Sequence, residues 1–306
     1  MEQKIKARVV EKVLNKYVLV LETQEYIEAI VSGNVKKNNK IMVGDFVEVK
    51  RQYDTYVITD ISNRKNSLIR PPVSNIDQLV IVISLADPKP DYILLDKQIT
   101  LCKSLNIAPI LCINKIDLSK DNEELKKELK YIATVYTNLV DNVIYVSTVD
   151  KIGINELKVA LKGKTSAFSG NSGVGKSSIT SLIINKENKE KLEYIEVGNI
   201  GEKSRRGKHT TKYVKLYNID TDAYLLDTPG FSSFELYDIS FKELKKYYEE
   251  FKQYKCDFED CNHVNEKENV CAIKQALTNG SIDKGRYERY VYIYSKLKEL
   301  DDKKYK

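Results

Sequence analysis

Long hydrophobic runs are missing from this 306-residue chain. Even the apolar stretch at 77–85 (DQLVIVISL) is far shorter than the roughly 18–20 residues that cross a bilayer. A membrane-spanning helix is therefore excluded as a reading, and no membrane partner is expected. The start, MEQKIKARVV, has no apolar core followed by a small-residue cleavage site, so no signal peptide and a cytoplasmic location are expected. Histidine is scarce, with two residues, and cysteine little less so, with five. In such a setting disulfides are not expected. Cys102 and Cys112 sit in apolar contexts and read as small buried hydrophobes. No long self-complementary apolar seam is present, so a monomer is expected.

Charge of one sign is also not in great excess. The net charge is +6 and 31% of residues are charged, the composition of a soluble globular protein. The distribution is more informative than the total. Residues 201–215 carry six basic residues (Lys203, Arg205, Arg206, Lys208, Lys212, Lys215) against Glu202, a strip suited to a phosphate backbone or simply to solvent.

Three compositional zones follow along the chain. Residues 1–70 are short β-branched and aromatic runs split by Gly, Asn and Asp, the pattern of a small barrel, with an OB-type barrel leading and RNA binding as its expected role. Pro71-Pro72 punctuates the chain. From 71 to 238 apolar strands (77–85, 109–114, 143–147, 165–170, 213–219, 223–228) alternate with helical patterns, an α/β domain with a mostly parallel sheet. From 239 to 306 the chain is polar and helical. An amphipathic helix is expected over 241–254, and Tyr287, Tyr290, Val291, Tyr294 and Leu297 repeat at helical spacing as a packing face.

The central zone carries the chemistry. Gly170-Asn171-Ser172-Gly173-Val174-Gly175-Lys176-Ser177 stands between an apolar strand and a helix that continues through Ser178. This is the context a phosphate loop needs. Its backbone N–H groups and helix N-terminus cradle phosphates, Lys176 reaches the β- and γ-phosphates, and the Ser177 hydroxyl suits Mg²⁺. Asp227-Thr228-Pro229-Gly230 ends a later strand. Asp227 can hold the Mg²⁺ shell and the Gly230 N–H can meet a γ-phosphate. Asn114-Lys115-Ile116-Asp117 also follows a strand; its Asp carboxylate can accept the N1–H and N2 hydrogens of guanine, a donor pair that adenine lacks. Ser147 and Thr148, one strand later, suit a base-support loop. Between the phosphate loop and Asp227, the run Gly207-Lys208-His209-Thr210-Thr211 is the candidate first switch. Either Thr210 or Thr211 can face Mg²⁺. Many GTPases carry a water-orienting Gln after D-T-P-G, but here the residue is Phe231, so slow intrinsic hydrolysis is expected. His209 is either the substitute catalytic group or a surface histidine.

The order of these motifs is reversed from an ordinary GTPase. The base reader precedes the phosphate loop by about fifty-five residues. Such a circular permutation is allowed because the motifs need only converge at the carboxyl edge of the sheet. It also runs the second switch directly into the last zone, a short path by which nucleotide state could move it.

In that last zone, Cys256-x4-Cys261-x-His263-x7-Cys271 gathers three of the five cysteines and one of the two histidines within sixteen residues. Cys₃His suits a closed, structural, tetrahedral Zn²⁺ site.

Taken together, VGDFVEV (43–49), NKID, GNSGVGKS, GKHTT, DTPGF and the Cys₃His run resemble the ribosome small-subunit-dependent GTPase A family over the whole chain. The base-support loop departs mildly, with Ser147-Thr148 where Ser-Ala is commoner. The resemblance implies an OB-fold domain, a permuted GTPase domain and a zinc domain. It implies a factor that binds 16S rRNA and the 30S subunit late in maturation, with GTP hydrolysis stimulated there and His209 catalytic. Two other readings remain: a GTP-gated rRNA-binding scaffold, and a permuted GTPase acting on the large subunit.

Overall fold

A computed structural model describes residues 4–33, 35, 40–68, 71–184, 214–220, 222–227, 236 and 238–304. Two compact units result: 1–80 with 153–169 and 176–232, and 81–152 with 170–175 and 233–306.

The first unit begins with five strands: β1 (Ile5–Val13), β2 (Lys16–Leu21), β3 (Tyr26–Val31), β4 (Phe46–Gln52) and β5 (Thr55–Ile61). Each follows its neighbour in the order β1-β2-β3-β5-β4, and β4 pairs again with β1. The sheet therefore closes into the barrel that the alternating pattern predicts. Ala7, Val9, Leu19, Ile27, Val47 and Val49 fill its interior, every second residue of their strands. The Val-Gly-Asp turn before β4 has a specific cause. Gly44 has φ +97°, and a Cβ there would collide with Ser74 O. Asp45, fully buried, is held by Arg64 through Nε (2.7 Å) and Nη2 (2.8 Å) and by Ser74 Oγ (2.5 Å). The Pro71-Pro72 turn lies between two short paired strands, β6 (Ser67–Leu68) and β7 (Val73–Ser74), and Val73 bridges back to Val43.

The α/β part of this unit contributes β11 (Thr165–Ser169), β12 (Lys215–Asp220) and β13 (Ala223–Asp227). β11 and β13 are parallel, and β12 is antiparallel to β13. β12 also meets β1 at Lys215 and Glu11. Both residues are buried and form an ion pair of 3.4 Å. Lys215 thus serves packing and is no phosphate contact, which removes it from the basic strip read at 201–215; residues 201–213 of that strip lie outside the described residues.

Strand β8 (Gln78–Ser84) begins in the first unit and ends in the second, buried throughout as its apolar run requires. In the second unit, helix α1 (Tyr92–Ser104) starts at Asp91, whose side chain accepts from Leu94 N at 3.0 Å. Leu95, Ile99 and Cys102 form its buried stripe. β9 (Ala108–Asn114) follows, then α2 (Glu123–Tyr136), capped by Asn122, and β10 (Asn142–Val146), parallel to β9. In the first unit α3 (Ile154–Leu161) precedes β11, and α4 (Lys176–Ile183) follows the phosphate loop.

The C-terminal part of the second unit is helical, with α5 (Ala272–Thr278) and α6 (Lys284–Lys304). The tyrosine face of α6 packs inward: Tyr290, Tyr294 and Leu297 are buried with Leu244, Tyr248 and Phe251. The expected helix over 241–254 is not formed. Two 3₁₀ turns, Leu244–Tyr247 and Glu249–Phe251, replace it. Tyr248 between them is extended (φ −96°, ψ 94°) and buried, its ring 4.1 Å from the Arg286 guanidinium. Packing has overridden the helix propensity of the Lys/Glu-rich segment.

Candidate functional site

The loop after β11 makes the tight approach its glycines permit. Gly170 has φ +139°, and a Cβ there would collide with Val82 O. Gly175 has φ +96°, and a Cβ would collide with Asn114 Nδ2. Residues 170–175 can therefore lie against β8 and β9 only as glycine at these two points. Between them Ser172 and Gly173 are exposed and Val174 is buried. Lys176, Ser177 and Ser178 then open α4, so the N–H groups of its first turn follow directly on the loop. Burial pulls the pKa of Lys176 below its ordinary value. An anion bound beside it would reverse that shift.

The base-reading segment meets this loop. β9 ends at the fully buried Asn114, whose Nδ2 donates to Val174 O at 2.8 Å. Lys115 turns the chain in the left-handed conformation (φ +63°) and its Nζ donates to Asp87 O. Ile116 and Asp117 start a 3₁₀ turn. Asp117 Oδ1 and Asn114 Oδ1 are enclosed and have no hydrogen-bond partner among the described residues. A buried acceptor without a donor is costly unless a ligand supplies one. Guanine offers its N1–H and N2 hydrogens for that purpose. Ser147 is buried, its N donating to Ile152 O (3.2 Å) and its Oγ accepting from Asp150 N (3.0 Å), which fixes the turn containing Thr148. Asp227 is the last residue of β13. His209, Thr210, Thr211 and Gly230 lie outside the described residues.

Cys256, Cys261, His263 and Cys271 converge as their spacing predicts, their donor atoms all within 4.8 Å of one another. His263 Nδ1 lies 3.5, 3.3 and 3.6 Å from the sulfurs of Cys256, Cys261 and Cys271, and the Cys256 and Cys271 sulfurs are 4.0 Å apart. Tetrahedral coordination with Zn–S near 2.3 Å and Zn–N near 2.0–2.1 Å requires edges of about 3.6 Å for N···S and about 3.8 Å for S···S. The three N···S edges and the Cys256–Cys271 edge come close to those dimensions, so this donor set fits one metal ion. Burial lowers the His263 pKa to about 4, leaving the imidazole neutral and ready to ligate near neutral pH. The loop is tied to the helices beneath it: Tyr287 OH donates to His263 O and Tyr290 OH to Asn262 O, both at 2.7 Å, and Lys245 Nζ donates to Cys261 O at 2.8 Å.

One functional-looking cluster has no counterpart in the motif reading. Asp96, fully buried on α1, accepts from Tyr136 OH (2.7 Å) and Arg289 Nε (2.6 Å) and is ion-paired with Arg286 Nη1 (2.5 Å). Arg286 Nε also donates to Glu250 Oε1 at 2.8 Å. The network joins α1 and α2 to α6, and α6 in turn holds the Cys/His loop. Its sequence signal was an acid at 96 on the apolar stripe of α1, matched by arginines three residues apart on a tyrosine-rich helix.

The fold and site define a class: a GTPase-type nucleotide domain with base-reading elements ahead of its phosphate loop, preceded by a five-stranded barrel and followed by a helical module with a Cys₃His cluster. Among the described residues no helix is long and apolar enough to cross a membrane. A family model described as RsgA GTPase matches residues 61–237. A protein named small ribosomal subunit biogenesis GTPase RsgA, from Caldanaerobacter subterraneus subsp. tengcongensis, is 37% identical over 99% of both chains. Its namesake from Thermotoga maritima is 38% identical over 90% of both. Among solved structures, YjeQ from Thermotoga maritima superposes with a TM-score of 0.81 at 34% identity, covering 96% of this chain and 99% of its own. YloQ, described as a circularly permuted GTPase, gives 0.79 at 28% identity over 97% and 96%. The chain belongs to the RsgA GTPase family, and it is a GTP hydrolase.

Proposed function

We propose that this GTPase acts in late maturation of the small ribosomal subunit, binding 16S rRNA and the 30S particle in the cytoplasm as a monomer and hydrolysing GTP to GDP and phosphate there. The observation that carries the nucleotide reading is the junction of Asn114 with Val174, which sets an unpartnered Asp117 carboxylate oxygen and the phosphate loop in one frame. The maturation role is supported by the names of the relatives, which match nearly end to end.

In this reading Asp117 accepts the guanine N1–H and N2 hydrogens, and Lys115 packs along the base. Asn114 holds the base loop to the phosphate loop, and Ser147 and Thr148 support O6. Gly170 to Gly175 wrap the phosphates with backbone N–H groups, Lys176 neutralises the β- and γ-oxygens, and Ser178 extends the helix N-terminus. Ser177, Asp227 and one of Thr210 or Thr211 hold Mg²⁺, which supplies charge neutralisation at the phosphates. Gly230 meets the γ-phosphate, and His209 orients the attacking water. Cys256, Cys261, His263 and Cys271 hold one structural Zn²⁺. The domains follow 1–70, 71–238 and 239–306.

GTP turnover measured alone, with purified 30S subunits and with 50S subunits tests the proposal. Stimulation by 30S is expected. Stimulation by 50S alone would assign the protein to the large subunit, and binding to 30S without stimulated turnover would make it a GTP-gated scaffold.

A further inference from the structure

Arg8, in β1, is 7% exposed. Buried arginine is rare without an acidic partner, because the desolvation of the guanidinium must be offset. Arg8 makes no ion pair among the described residues. Its one hydrogen bond runs from Nη2 to Thr165 Oγ1 at 2.7 Å. Its Nε is enclosed and has no partner among the described residues. Two aromatic rings lie against the guanidinium, Phe46 at 4.9 Å and Tyr224 at 4.7 Å. Asp77 lines the same cavity and its charge acts on Arg8, but its carboxylate is committed elsewhere, accepting from Lys65 Nζ and from Thr165 N (2.7 Å). Cation–π contact and one hydroxyl hold the group flat but leave most of its five donors unused.

The same guanidinium lines a cavity of about 700 Å³ within the first unit. That volume falls in the roughly 300–1,000 Å³ range of small-ligand sites. Lys6, exposed, supplies a further cation in the lining. Glu22 and Asp222 also line it and are exposed, so water screens them far more than it screens Arg8. Phe46 is 47% exposed, which leaves ring surface beside the cation.

We propose that this cavity binds a phosphate group, with the planar fork of Arg8 as its recognition element, Thr165 and the two rings fixing the fork, and Lys6 as a second cation. An oxyanion supplies the directly hydrogen-bonded anion that no carboxylate among the described residues gives Arg8, and a fork already immobilised loses little entropy on binding it. The phosphate can belong to a free ion, a nucleotide or an RNA strand, and a base attached to it could stack on Phe46. The site uses none of the phosphate-loop residues and stands apart from the GTP reading.

The test uses the full chain with GDP present to fill the phosphate loop. Inorganic phosphate, CMP and hexauridylate are titrated in turn at constant ionic strength, following the Arg8 Nε–H resonance by NMR and heat by calorimetry. A saturable shift of that resonance, absent with chloride, is expected. Affinity rising about tenfold from phosphate to CMP identifies a nucleotide, and a further tenfold rise to hexauridylate identifies a strand; equal affinities identify the free ion. Arg8→Gln should weaken binding at least tenfold with GDP binding unchanged. Should that variant not fold, Lys6→Ala, which leaves the buried fork in place, should weaken binding about threefold. A resonance unmoved by all three probes, or binding unaltered in the variants, overturns the proposal.

Discussion

The phosphate loop and the Cys/His loop are both ligand cradles, yet they hold their shapes by opposite means. The first is pressed onto the sheet by its backbone. Gly170 abuts Val82, Gly175 abuts Asn114, and Asn114 fastens the loop through Val174. Nothing in that arrangement needs nucleotide. The second is a polar loop whose four donor atoms lie within 4.8 Å of one another, with His263 Nδ1 3.3–3.6 Å from each sulfur. Its tethers come from Lys245, Tyr287 and Tyr290. One cradle is built by its own backbone; the other gathers a donor set that fits one metal ion.

Metal removal should break this comparison most visibly. Structural zinc supplies about 10–16 kcal/mol in small zinc modules. Chelation should abolish amide-exchange protection across 255–271 while leaving GTP binding intact. Retained protection after verified metal loss would show that the loop is held by its tethers alone. The next effect is at the joint between the regions. Asp96→Ala strands Arg286 and Arg289 without their buried acid, and stability should fall by about 3–5 kcal/mol in urea unfolding. A loss below about 1 kcal/mol would show that Glu250 and the aromatic rings suffice. Lys176→Ala should lower turnover by about 10²–10³-fold; undiminished turnover would refute the phosphate-loop assignment. Asp117→Asn replaces an acceptor by an amide donor. GTP affinity should fall about a hundredfold, and XTP, with an oxygen where guanine has its amino group, should be preferred. An unchanged GTP preference would remove Asp117 from the base site.

Much of this was legible in the chain because the signals were local. The apolar run of β8, the glycine spacing at 170–175 and the Cys₃His spacing each constrain a few neighbouring residues, and the structure keeps them together. What escaped was long-range. The helix read over 241–254 dissolves into two turns because Tyr248 is drawn inward onto Arg286, 38 positions away in sequence. Lys215, read as part of a basic strip, is buried against Glu11 of the barrel. Asp96 and its arginines lie almost two hundred residues apart, and no spacing rule connects them. Arg8 sits in no motif; its burial comes from Thr165 and Tyr224, far along the chain.

The central claim is that the base-reading loop, phosphate loop and Cys/His module serve a GTPase whose partner is the small ribosomal subunit. Steady-state GTP turnover with 30S and 50S subunits in parallel tests it most directly. The account predicts slow turnover alone, strong stimulation by 30S, and its loss in Lys176→Ala. Turnover that is indifferent to 30S, or stimulated only by 50S, would contradict it.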